Sequence, residues 1–182
     1  MKLVILDRDG VINKDSKAFI KSPDEWQPIP GSLEAIVRLN HAGYQVVVIT
    51  NQSGLGRGLF DIETLNAIHD KMHNQLKMLG GRVDAILFCP HLPDDHCDCR
   101  KPLPGLFNQL KKRLNIQLES VPAIGDSLRD LQAAMAAGAL PVLVKTGNGL
   151  RTLEQSEILD PNIPVFNTLN DFVTDYLSNN RD

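Results

Sequence analysis

The hydrophobic pattern alternates between two kinds of stretch. Short aliphatic runs without polar alternation occur at Leu3-Val4-Ile5-Leu6, Val46-Val47-Val48-Ile49 and residues 83–88, 121–125 and 140–145. Each reads as a strand covered on both faces, as in a parallel sheet under helices. Between them, apolar residues recur at helical spacing. Leu33, Ile36, Val37 and Leu39 predict a helix over 32–42 that Gly43 ends; Leu65, Ile68, Met72, Leu76 and Leu79 predict another, N-capped by Asp61 and closed by Gly80-Gly81. Further helices are predicted over 106–114, over 128–137, near Leu153 and over 169–177, with a last strand at Val165-Phe166. Residues 13–30, with Pro23, Pro28, Pro30 and a lone Trp26, read as an irregular flap, and Gly54-Leu55-Gly56-Arg57-Gly58 as a glycine-rich loop. Strands alternating with helices imply right-handed crossovers and a Rossmann-like three-layer α/β/α sandwich with a mainly parallel sheet. No repeat, low-complexity stretch or linker divides the chain, so residues 1–182 are expected to form one domain.

The strands end alike, in small polar or acidic residues. Asp7, Asp9, Thr50, Asn51, Cys89, Asp126 and Asp130 all fall at predicted carboxyl ends or just beyond, where ligands of open α/β sheets collect. If the chain stays extended, Asp7 and Asp9 point to one side and Arg8 away from them. Alone, this stretch fits an acidic strand-to-turn boundary as well as it fits a site. Asp126 and Asp130, four apart, share a face if their segment opens a helix. Carboxylates converging from both segments repel one another unless a cation intervenes, and hard oxygen donors suit Mg²⁺. With an ordinary pKa of about 3.9, Asp7 would be ionised and available as a nucleophile, leaving Asp9 to exchange a proton with the leaving oxygen.

Composition narrows the class. A chain of 182 residues, 42% hydrophobic, with net charge -3, suits one soluble domain. The mild acidity counts against a nucleic-acid binder. The first apolar run meets Asp7 too early for a signal segment, and no run is of membrane-spanning length. A cytoplasmic protein acting as a monomer is expected. All three cysteines lie between Cys89 and Cys99, a crowding that points to metal rather than disulfides. Cys89, His91, Cys97 and Cys99 make a closed tetrahedral set for structural Zn²⁺; His96 could replace His91, although beside Cys97 it would form a tight chelate. His69 and His73, four apart on the Asp61-capped helix, lack a neighbouring acidic motif and read as surface or packing residues. Thr50, Asn51, Ser53, Arg57, Arg100 and Lys101 form a cationic and hydrogen-bonding group able to hold phosphoryl oxygens, with Arg100 and Lys101 carried by the zinc loop, residues 89–102.

Asp7-x-Asp9-Gly10, Thr50-Asn51, Lys101 and Gly125-Asp126-x-x-x-Asp130 resemble, in order and at strand ends, the four motifs of the haloacid dehalogenase superfamily of phosphatases. With Cys89-Pro90-His91 and Cys97-Asp98-Cys99-Arg100-Lys101-Pro102 added, the chain is similar to the D-glycero-D-manno-heptose 1,7-bisphosphate phosphatases, with histidinol-phosphate phosphatases as close relatives. The resemblance implies a Mg²⁺-dependent phosphatase of nucleotide-activated heptose and lipopolysaccharide core biosynthesis. It implies an aspartyl-phosphate on Asp7, Asp9 as acid and then base, and Thr50 and Lys101 steadying the phosphoryl group. Mg²⁺ would be bound by Asp7, the Asp9 carbonyl and Asp126, direct contact from Asp130 being left open. Asn51, Gln52, Ser53 and Arg57 would face the sugar phosphate. The zinc loop is short, with five residues between His91 and Cys97, as in histidinol-phosphate phosphatases, whereas Arg57 offers a cation for a second phosphate. There is no room for a large cap domain, so the flap and the zinc loop would have to cover the site. A phospho-accepting receiver-type module and a zinc-based nucleic-acid module are the non-enzymatic alternatives, and the zinc loop and the acidic balance count against them respectively.

Overall fold

A computed structural model describes residues 1–155 and 160–180 of the chain. Its centre is β1 (Leu3–Leu6), buried at every position. β2 (Gln45–Asn51) and β3 (Ala85–Cys89) extend the sheet on one side, and β4 (Pro122–Gly125), β5 (Leu140–Val144) and β6 (Val165–Phe166) on the other. The order is β3-β2-β1-β4-β5-β6, and every neighbouring pair is parallel. The chain thus winds outward from β1 to β3, crosses back and winds outward again from β4. That reversal opens a crevice at the carboxyl ends of β1 and β4.

The aliphatic runs are continuous because each strand feeds two cores. Val4, Leu6, Val46 and Val48 pack with Ile36 and Leu39 of α1 (Ser32–His41), Ile68 and Met72 of α3 (Ile62–Met78) and Phe172 of α7 (Leu169–Asn179). Their neighbours Leu3, Ile5, Val47 and Ile49 face the other way, onto Phe107 and Leu110 of α4 (Gly105–Leu114) and Ala133 and Ala134 of α5 (Leu128–Ala136). Successive strand side chains alternate faces, so neither face tolerates polar residues until the strand ends. Alanines on α5 let it lie close to the sheet. A short α6 (Gly149–Glu154) follows β5.

The flap is pinned rather than loose. Trp26 is fully buried in the α1/α3 core, and Lys71 Nζ on α3 donates to Pro23 O at 2.6 Å and to Trp26 O at 2.9 Å. The predicted loop at Gly54–Gly58 differs: Ser53–Gly56 forms one helical turn, α2. Gly56 lies so close to the Pro90 carbonyl that a side chain there would collide with it, and its N–H donates to the same oxygen at 3.1 Å. The zinc loop contains a 3-10 turn at Pro93–Asp95 that the pattern did not predict. Among the described residues no helix is long and apolar enough to cross a membrane.

Candidate active site

Each strand of the crevice delivers one polar element. β1 leads into Asp7, whose N–H donates to Ile124 O on β4 at 2.9 Å, fixing the backbone there. β2 ends in the buried Thr50 and in Asn51. After β4 come Asp126 and Ser127, the N-cap of α5; Asp130 on its first turn accepts from Ser127 N at 3.0 Å and from the Ser127 hydroxyl. Lys101, 3% exposed, arrives on the zinc loop. Its ammonium lies 2.9 Å from Asp7 Oδ1 and 2.6 Å from Asp130 Oδ1, and donates to Ile49 O at 2.8 Å.

Asp7, Asp126 and Asp130 each offer a carboxylate oxygen within 4.8 Å of the others, all from buried or nearly buried positions. One ammonium serves this group, leaving excess negative charge. Burial, reinforced by Asp130 and Asp9 and opposed by Lys101, pushes the Asp7 carboxyl up to about 6. Burial with the charges of Asp7 and Asp130 pushes Asp126 up to about 8. Burial works against ionisation of Asp130 too, but Lys101 and Ser127 hold it below the ordinary range. Three hard oxygen donors with unbalanced charge fit a divalent cation such as Mg²⁺. Space beside Asp126 is kept by Gly10 and Gly147, both at positive φ, where a Cβ would run into Asp126 Oδ2. The same oxygen accepts from Asn148 N at 2.7 Å and Asn148 Nδ2 at 3.1 Å.

Asp9 is organised separately. Arg8 does not point away from it, as an extended chain would require. β1 ends at Leu6, and the Arg8 carbonyl accepts from the N–H groups of Ile12 and Asn13 in a tight turn. The fully buried guanidinium therefore folds back onto Asp9, with Nε at 3.1 Å from Oδ1 and Nη2 at 3.0 Å from both oxygens. Asn13 Nδ2 and Gln52 Nε2 each donate to Asp9 at 2.9 Å. Burial opposes ionisation, but Arg8 and these two amides hold the Asp9 carboxyl below its ordinary value.

Asp7 and Asp9 open onto a cleft of about 160 Å³, whose lining does not include Asp126 or Asp130. Asp7, Asp9, Thr50 and Lys101 line it with Asn51, Gln52, Ser53 and Arg100. Asp15, Ser16, Phe19 and Ile20 of the flap close one side, as expected of a site without a cap. Of the residues expected at the sugar phosphate, Gln52 is engaged by Asp9, Thr50 and Arg8, and Asn51 grips the Lys101 backbone. Arg57 is set back, its guanidinium 5.8 Å from the centre of the Phe19 ring. Sequence reading missed Arg129, which lines the cleft beside Arg100, and Asn148, although Thr146 and Asn148 follow shortly after the end of β5.

The second metal cluster assembles at the end of β3. Cys89 Sγ lies 3.6 Å from His91 Nδ1, 3.7 Å from Cys97 Sγ and 3.2 Å from Cys99 Sγ, and His91 Nδ1 lies 3.2 Å from Cys99 Sγ. A tetrahedral zinc with ~2.3 Å bonds to sulfur has S···S edges of about 3.8 Å, so the spacing fits. His96, in a left-handed conformation after the 3-10 turn, lies outside this group of four, which His91 completes. Arg100 Nη1 donates to His91 O at 3.2 Å, tying the cluster to the cleft.

Comparison with known proteins agrees with this geometry. The family described as HAD-hydrolase-like matches residues 98–172, and that described as polynucleotide kinase 3 phosphatase matches residues 2–129. The chain is 65% identical over 155 residues, 85% of its length and 87% of the relative's, to D-glycero-beta-D-manno-heptose-1,7-bisphosphate 7-phosphatase of Bordetella bronchiseptica. It is 50% identical over 173 residues, 94% of its length and 92% of the relative's, to the protein of that name from Neisseria meningitidis. Among solved structures, D,D-heptose 1,7-bisphosphate phosphatase from B. bronchiseptica, complexed with magnesium and phosphate, superposes with a TM-score of 0.96 at 59% identity, covering 98% of this chain and 99% of that one. The chain therefore belongs to the haloacid dehalogenase superfamily of phosphatases and, within it, to the D-glycero-beta-D-manno-heptose-1,7-bisphosphate 7-phosphatase family.

Proposed function

We propose that the protein is a phosphoric monoester hydrolase that removes the 7-phosphate of D-glycero-β-D-manno-heptose 1,7-bisphosphate, releasing heptose 1-phosphate and inorganic phosphate. The observation that carries the reading is Lys101 bridging Asp7, which lines the cleft, to the buried Asp130, in a chain 65% identical to a relative of that name. An Asp7 oxygen bonds to phosphorus as the bond to the sugar oxygen breaks, and that oxygen takes a proton from Asp9. Water then attacks the aspartyl-phosphate, passes a proton to Asp9 and restores Asp7. Arg8, Asn13 and Gln52 keep Asp9 in the carboxylate form suited to the water step; an arriving phosphoryl dianion raises its proton affinity for the ester step. Thr50 and Lys101 hold phosphoryl oxygens. Asp7, Asp126 and the Asp9 carbonyl would hold Mg²⁺, with Asp130 beside them, and the ion would supply neutralisation between carboxylate and phosphate. Cys89, His91, Cys97 and Cys99 would hold structural Zn²⁺, which would keep Arg100 and Lys101 in place.

The second phosphate of the substrate needs its own cations, and Arg100 and Arg129 at the cleft, with Arg57 behind Phe19, are the candidates. One catalytic domain over residues 1–182 is supported by a single sheet drawing strands from Leu3 to Phe166. A sugar bisphosphate does not cross membranes unaided, which supports a cytoplasmic setting. The net charge of -3 counts against a polynucleotide substrate despite the family match over residues 2–129, and we read the protein as a monomer without membrane partners. The deciding experiment compares kcat/KM on both heptose bisphosphate anomers and on histidinol phosphate. A preference of at least about ten-fold for the β-bisphosphate is expected; equal or reversed preference overturns the substrate assignment.

A further inference from the structure

The sequence suggests a surface or packing role for His69, yet α3 carries it into the interior against Arg8. Its Nε2 lies 3.2 Å from Arg8 Nη1, across sixty-one residues of sequence, and its ring is tilted against Phe88. A guanidinium only donates, so His69 Nε2 is the acceptor and the ring proton sits on Nδ1. Burial followed by the charge of Arg8 keeps this imidazole neutral, its pKa near 4. Arg8 also donates to Gln52 Oε1 at 3.2 Å.

Stability alone gives little reason for this arrangement. A buried arginine–carboxylate pair loses about as much in desolvation as it gains in attraction, and both Asp9 oxygens already accept from Asn13 or Gln52. What the fork adds is a two-point hold on the carboxylate plane, at a place where β1 has ended and the sheet no longer constrains the side chain. We infer that Arg8 and His69 are positioning residues that aim Asp9 at the oxygen it protonates, which makes α3 part of the catalytic apparatus. This rests on the reading of Asp9 as the acid and base. Arg8 sets the plane of the carboxylate, and His69 sets the plane of Arg8.

The test is the dependence of kcat/KM on leaving-group basicity across alkyl, phenyl and dinitrophenyl phosphates, because kcat/KM reports the transfer to Asp7 and only basic leaving groups need the proton. Asp9→Asn is the reference and should steepen the dependence. His69→Leu should lose about ten-fold or more on alkyl phosphates and little on dinitrophenyl phosphate, because a misplacement near 1 Å costs up to ~100-fold. His69→Gln, which keeps an acceptor, should restore most of it. Arg8→Lys, which keeps the charge and loses the fork, should behave like His69→Leu. Equal losses on all esters, or none, in the folded His69→Leu protein overturn the inference while leaving Asp9 its role. A dependence in Asp9→Asn as shallow as in the parent overturns the Asp9 reading itself. If the Arg8 variant does not fold, the His69 pair decides alone.

Discussion

Asn51 and Lys101, fifty residues apart, hold each other by reciprocal hydrogen bonds: Asn51 Nδ2 donates to Lys101 O and Lys101 N donates to Asn51 Oδ1, both at 3.1 Å. The end of β2 thus sets the backbone from which the ammonium reaches Asp7 and Asp130. Asn51→Leu should cost about 2 kcal/mol of stability for two lost bonds and lower kcat/KM by about ten-fold or more as Lys101 shifts. Denaturant unfolding and steady-state kinetics check both. An unchanged kcat/KM would show that Lys101 is held by its side-chain contacts alone.

Asp7→Asn should abolish turnover and leave zinc content unchanged. In metal-free protein it should also raise the thermal midpoint. The Asp7 pKa rises from 3.8 to about 6 on folding, so its ionised form is destabilising near pH 7. Substantial residual phosphatase activity would sink Asp7 as the nucleophile.

Zinc removal should uncouple the cleft from β3. Protein purified without added metal is expected to carry about one zinc per chain. Chelation, or Cys99→Ser, should release the loop that carries Arg100 and Lys101, so activity should fall in parallel with zinc and not return with Mg²⁺ alone. Fully active zinc-free protein would contradict the structural role.

Stability should fall with acid in a window set by His69. Its pKa drops from 6.5 unfolded to about 4 folded, through burial, Arg8 and His73. Between those values the unfolded chain binds a proton that the native state refuses, so the contribution is complete above about pH 6.5 and declines as pH falls toward 4. It amounts to on the order of 3 kcal/mol. Urea midpoints of the parent and His69→Gln should converge as the pH is lowered through this window.

Gly147→Ala should weaken Mg²⁺ binding without touching a ligand, since the new Cβ would meet both Asp126 Oδ2 and Gly10 Cα. Calorimetric titration of Mg²⁺ should show an affinity loss of at least about ten-fold, and a normal affinity would place Asp126 elsewhere in the metal-bound state.

Local patterning carried much of the architecture. The strand at Leu3–Leu6 and the helices that begin at Ser32 and follow Asp61 were legible because burial on two faces, helical spacing and capping are short-range consequences of residue type. The convergence of Asp7, Asp126 and Asp130 was legible because parallel strands bring their carboxyl ends to one edge. Its glycines make Gly54–Gly58 read as a loop, whereas the structure has a helical turn at Ser53–Gly56 packed closely against Phe60 and the Pro90 carbonyl, contacts that spacing along the chain does not show.

The sequence by itself thus determined the sheet, its layers and the kinds of chemical group at its edge, since each follows from neighbours along the chain. Only the tertiary structure decided which groups meet. Arg8 turns onto Asp9 because the strand stops one residue before Asp7, cancelling the alternation that would have sent it away. His69 reaches Arg8, His91 rather than His96 lies with the three cysteines, and Arg57 rests on Phe19, because α3, the zinc loop and the flap arrive from distant parts of the chain. Such pairings depend on packing geometry across the fold, and residue spacing along the chain does not encode it.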